Sequence, residues 1–113
     1  MYVKKKLSMR AGETEKAELV DDLVLIELGE KLGTVLRHIG NLDCDVFLDG
    51  NVATVLELNP RFGGGYPFSH TLGANFPNAI LRWYRSDLIE KSNFVRKTGQ
   101  VISKCDDLIF INL

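Results

Sequence analysis

Two alternating segments, Leu42 to Leu48 and Val52 to Leu58, stand on either side of Asp49-Gly50-Asn51. This is a β-hairpin signature, and it constrains what surrounds it, because side chains on a strand alternate between faces. Along the second segment Glu57, Asn59 and Arg61 share one face, while Leu56 and Leu58 take the other. Asp43 and Asp45 share a face of the first segment by the same rule. Whether the two polar faces coincide depends on the turn. A two-residue Asp49-Gly50 loop pairs Leu48 with Asn51 and puts Asp45 on the face opposite Glu57. A three-residue Asp49-Gly50-Asn51 loop pairs Leu48 with Val52, Asp45 with Val55 and Asp43 with Glu57. Two-residue loops are the commoner, so a shared acidic face calls for the rarer turn.

The residues at stake suggest a chemistry. Glu57 and Asn59 offer a carboxylate and an amide oxygen to a hard cation, and the planar guanidinium of Arg61 suits phosphate oxygens. Gly63-Gly64-Gly65 follows at once and can present backbone N–H groups to an anion. Ser69 and His70 come next, where a short helix can start, and His70 is read as structural. Near the front, Arg10-Ala11-Gly12-Glu13-Thr14 sets a cation and a hydroxyl around a glycine, which alone means only a turn. The structural alternative has Asp43 and Asp45 facing solvent on an edge strand and Glu57 paired with a lysine.

Composition narrows the classes. The 113 residues make one domain, 1–113, with the apolar and charged fractions of an ordinary folded chain. A formal charge of −1 gives no broad electrostatic case for nucleic acid or an anionic membrane. Lys4-Lys5-Lys6 reads as a solvated strand edge. Cys44 and Cys105 have neither metal-ligand nor redox spacing, and Cys44 reads as a small buried hydrophobe. No apolar run approaches membrane-spanning length and the first residues form no apolar leader, so the expected location is the reducing cytoplasm.

Tyr2 to Met9 reads as a strand and Arg10 to Glu18 as a loop. Asp21 or Asp22 can cap a helix running to about Ile39, with Leu25, Leu28, Leu32, Val35 and Leu36 at helical spacing and Gly40 as its stop. After the hairpin and glycine loop, Pro77 fits the first turn of a helix carrying Ala79, Ile80, Trp83, Tyr84, Leu88 and Ile89. Gln100 to Leu113 reads as a second hairpin turning near Asp106-Asp107. The order implies an α+β domain with a mainly antiparallel sheet and packed helices.

Asp45 with Glu57-Leu-Asn59-Pro-Arg61, preceded by Arg10-Ala-Gly-Glu13-Thr14, resembles the C-terminal lobe of an ATP-grasp ligase similar to the carbamoyl-phosphate synthetase large subunit. The resemblance runs from Lys4 to about Tyr84. It implies ATP with Mg²⁺ or Mn²⁺ as cofactors, and a ligase that phosphorylates a small carboxylate to an acyl phosphate for attack by an amine. By position it makes Asp45, Glu57 and Asn59 metal ligands and Arg61 the catalytic phosphate holder. Arg10, Thr14, Gly63 and Gly64 become nucleotide contacts. Two departures stand out: Phe62-Gly-Gly-Gly-Tyr-Pro-Phe-Ser-His replaces a stretch rich in serine and arginine, and Arg10 replaces a histidine. The carboxylate is therefore not tied to bicarbonate. The resemblance also implies a missing partner, the adenine-binding lobe, supplied in cis or as a split subunit, so the isolated chain is expected to be inactive. A non-catalytic nucleotide- or metal-binding module, or a structural domain, is the alternative.

Overall fold

The computed structural model describes residues 1–90 and 94–106. Strands β1 (Val3–Arg10) and β2 (Glu13–Val20) form an antiparallel hairpin. The expectation of a loop over Arg10 to Glu18 is thus corrected: only Ala11-Gly12 turns, with φ of +50° and +80°. Positive φ at both central residues is what a two-residue hairpin turn needs to match the strands' twist. The strand was hidden because charged residues surround its inward-facing Thr14, Ala17 and Leu19, and register shifts beside Ser8 break the strict alternation.

Helix α1 (Leu23–Leu36) is capped by Asp22, whose side chain accepts from the Leu25 N–H at 3.1 Å. It stops before the expected Ile39. Arg37 takes the left-handed conformation, φ +47°, and its N–H returns to the Gly33 carbonyl. Strands β3 (Asp43–Asp49) and β4 (Val52–Asn59) form the second antiparallel hairpin, against which α1 lies. Helix α2 (Tyr66–Thr71) follows the glycine loop. Helix α3 (Phe76–Tyr84) is capped by Asn75 and has Pro77 in its first turn. It ends ahead of Leu88 and Ile89, with Ser86 at φ +60°.

Strand β5 (Val101–Ser103) pairs with β2, giving one three-stranded sheet in the order β1-β2-β5 and a separate β3-β4 ribbon. All the named strand pairs are antiparallel, so the domain is α+β as expected. The tail hairpin expected past Asp106 falls on residues 107–113, outside the described residues.

The core is small and one-sided. Its buried apolar residues are Val3 on β1, Ala17 and Leu19 on β2, and Phe68, Leu72, Ala74 and Ala79 in the α2–α3 region, with Leu19 at 0 % and Phe68 at 2 % exposure. Tyr66 stacks on Phe76 and touches Phe62, and Tyr2 meets Phe76 edge-on. The β3-β4 ribbon has no fully buried residue. The radius of gyration, 15.6 Å, exceeds the roughly 13 Å typical of this length. An open cleft of about 1430 Å³ lies between the first sheet and the ribbon. Among the described residues, no helix is long and apolar enough to cross a membrane.

Candidate functional site

The ribbon meets neither of the registers open at the sequence level. Its turn is Gly50-Asn51, with Gly50 at φ +55°, and Asp49 pairs with Val52. Continued regularly, that register would set Asp45 against Leu56 and send Glu57 to the other face. A β-bulge intervenes: Val46 pairs with Val55, but Asp45 pairs with Glu57 and Asp43 with Asn59. The extra residue, Leu56, is absorbed by the ladder, as a bulge does. Directly opposed residues share a face in an antiparallel pair, so Asp43, Asp45, Glu57 and Asn59 lie on one side. The acids come together through the bulge, and the three-residue turn is not needed.

That face borders the cleft. Asp45, Glu57, Asn59, Arg61, Gly63, Gly64 and Thr14 line it; Arg10 does not. Arg10 sits at the end of β1 and makes a two-pronged ion pair with Asp106, both contacts at 2.8 Å, with Glu15 at 3.4 Å. Its guanidinium is engaged away from the cleft. Thr14 is nearly buried beside the β1-β2 turn. Arg61 is exposed, donates from Nη1 to the Phe62 carbonyl, and has its own carbonyl held by Asn41 Nδ2 at 2.8 Å.

The lysine run lies on β1, an edge strand of the first sheet, with Lys5 and Lys6 exposed as expected and Lys4 half-buried. Lys4 pairs with Leu19 and Lys6 with Ala17 across the hairpin, so both lysines share the face that carries those buried residues, with Lys6 itself still exposed. Lys6 Nζ lies 2.7 Å from Asp45 Oδ2. Lys4 Nζ donates to Ser69 Oγ at 2.8 Å, and Ser69 is only 1 % exposed. Burial pulls the Lys4 ammonium below the usual lysine range, while the charges of Asp43 and Asp45 oppose that shift. Lysines four and six were missed because their inward face becomes visible only once β2 is recognised as a strand.

The glycine loop is pressed against these groups. A Cβ on Gly63 would fall 1.8 Å from Asp43 Oδ2, one on Gly64 3.9 Å from the Glu13 carboxyl carbon, and one on Gly65 3.5 Å from Lys4 Cε. Glu13 is itself paired with Lys104 at 2.8 Å. An anion seated on Gly63 and Gly64 therefore faces carboxylates, and needs a cation to screen them. His70 is held through Nδ1 by the Tyr66 hydroxyl at 2.7 Å, in keeping with a structural role. Cys44 is half-buried and Cys105 exposed, both as free thiols; burial pushes the Cys44 thiol up.

Two carboxylates and an amide oxygen on one strand face are hard donors of the right kind for Mg²⁺. Among the described residues, no three His, Cys, Asp or Glu side chains converge on one point. The arrangement thus fits a cation held by one or two carboxylates, with water and phosphate completing its shell, as Mg²⁺ prefers. It does not form a closed cage. No family model matches the chain, and no curated protein matches it.

Proposed function

We propose that this chain is the metal- and phosphate-binding lobe of an ATP-dependent carboxylate–amine ligase, similar to the carbamoyl-phosphate synthetase large subunit. One observation carries the reading: the bulge at Leu56 sets Asp45 against Glu57 and Asp43 against Asn59, on a face that borders a cleft also lined by Arg61 and the glycine loop. In this reading Asp45, Glu57 and Asn59 hold a Mg²⁺ or Mn²⁺ ion. That ion supplies charge neutralisation to the transferring phosphoryl group. Arg61 turns from the Phe62 carbonyl to hold the phosphate of the acyl phosphate, orienting it for attack by the amine. Gly63 and Gly64, having no side chains, would allow phosphates to approach the backbone closely. Thr14 sits in the same cleft, and Arg10 serves only if it exchanges Asp106 for a phosphate. The reading calls for a second lobe, in cis or as a separate subunit, to hold the adenine, and for a small carboxylate substrate.

A non-catalytic module is favoured by one feature, the Lys6–Asp45 pair, which neutralises an acid without metal. Titrating the chain with Mg²⁺ and ATP while following NMR shifts separates binding from a purely structural role. Shifts centred on Asp45, Glu57, Asn59 and Arg61 are expected; none at millimolar metal would rule out the site. Glu57→Gln should abolish those shifts and the turnover of the protein joined to its second lobe. Glu57 is exposed and the change keeps its shape, so the unfolding midpoint should barely move. Normal ADP release by that variant would sink the ligase mechanism.

A further inference from the structure

We propose that Lys6 is an exchangeable counter-ion of this site: it holds Asp45 while no metal is bound, and yields Asp45 to a divalent cation when a polyphosphate arrives to take its ammonium. The inference rests on the metal-site reading above and concerns how that site is loaded. Three observations support it. Lys6 reaches across from the first sheet to contact Asp45 at 2.7 Å, the residue opposite Glu57 in the ribbon. Both side chains remain partly open to solvent, at 43 % and 38 %, so the pair can separate without unfolding anything. Lys4, two residues away on the same inward face, already lies beside Gly65 and Ser69, so the route from Asp45 to the glycine loop is lined with ammonium groups.

The energetics suit an exchange and not a lock. A part-exposed ion pair is weak, and a divalent ion can outcompete it. Removing Lys6 from Asp45 costs less when a phosphate receives the ammonium on its flexible stem. Cation and polyphosphate must then bind with positive coupling, each raising the affinity of the other by the same factor. Metal alone binds weakly, and the loaded pair binds well.

The test is Mn²⁺ binding by the 113-residue chain, read by electron paramagnetic resonance as the loss of free-ion signal. It is run with and without a non-hydrolysable ATP analogue, with the Mn²⁺ taken up by the analogue in protein-free solution subtracted. Lys6→Met should bind Mn²⁺ alone about two- to fivefold more tightly than wild type, the factor that corresponds to one such pair. It should also gain less from the analogue. Lys5→Met removes the same charge from the outward face of β1 and should leave Mn²⁺ affinity unchanged; Asp45→Asn should weaken it strongly. Lys6→Gln serves as a second variant should the apolar side chain disturb folding. If Lys6→Met and Lys6→Gln behave like Lys5→Met while Asp45→Asn weakens binding, the exchange is wrong and the metal site stands. If Asp45→Asn binds Mn²⁺ as wild type does, the metal-site reading fails and takes the exchange with it.

Discussion

Gly63 and Gly73 lack a side chain for different reasons, and their alanine variants should separate accordingly. At Gly63 the obstacle to a Cβ is the end of the Asp43 side chain, 1.8 Å away, and the backbone has no left-handed φ. Gly63→Ala should therefore cost about 1 kcal/mol or less, since a carboxyl group can rotate. It should move the Asp43 carboxyl resonance clearly. At Gly73 the φ is +105° and a Cβ would lie 2.3 Å from the Val95 carbonyl oxygen, which is backbone. Gly73→Ala should cost at least about 2 kcal/mol, through strain and the clash together. Thermal unfolding measures both. Equal costs would contradict the distinction between a side-chain obstacle that can rotate away at Gly63 and a backbone obstacle that cannot at Gly73. At this scale the sequence was informative about type but not about neighbour. Gly63 reads from sequence as an anion-binding glycine, yet its nearest side chain is an acid from β3, Asp43, twenty residues earlier in the chain.

The β3-β4 ribbon is the element on which the site depends, and its bulge is the detail that sequence could not supply. Leu56 is exposed and unpaired in register, while Val55 and Glu57 on either side keep their partners. Deleting Leu56 should then straighten the ladder without separating Asp45 from Glu57. Cross-strand nuclear Overhauser contacts between those two residues should survive, with a smaller local twist. Loss of the Asp45–Glu57 pairing in that variant would show that the bulge holds the register and does not merely absorb a residue. The hairpin itself was legible from Asp49-Gly50-Asn51 and the flanking alternation. Its register was not, because turn geometry and bulge each shift pairing by one, and only their sum decides the shared face. The β1-β2 hairpin shows the converse. Its Ala11-Gly12 turn was noticed, but the charged second strand masked the apolar residues it buries.

The whole molecule has a compact half and an open half. The first sheet and the α2–α3 region share the buried core, while the ribbon faces a cleft and is bridged to the sheet by Lys6 and Asp45. Long-range charge pairs also close the first sheet at its other end, where Arg10 on β1 grips Asp106 just past β5. Arg10's hydrogen bond and charge hold the Asp106 carboxyl below the usual aspartate range. A depressed carboxyl contributes its stabilisation above the unfolded pKa and loses it as pH falls through the folded value. Amide protection along β5, taken relative to the intrinsic exchange rate at each pH, should therefore fall as the medium is acidified through and below the ordinary aspartate range. Asp106→Asn should show the lower protection already at neutral pH, with no further acid step from this pair. Because the pair is exposed, added salt should weaken it as well. An unchanged β5 in that variant would mean that strand pairing with β2 alone holds the segment. By itself the sequence determined the α+β class, the central hairpin, a helix cap at Asp21 or Asp22, Pro77 in the first turn of a helix, and the polar strand with its glycine loop. These follow from alternation, turn residues and helical spacing, which are local. The tertiary structure alone decided that Asp45 meets Glu57, that Lys4 and Lys6 share the face of the buried Ala17 and Leu19, and that Arg10 is spent on Asp106. Those outcomes depend on register and on contacts between distant strands, where one residue of slip moves a side chain to the other face.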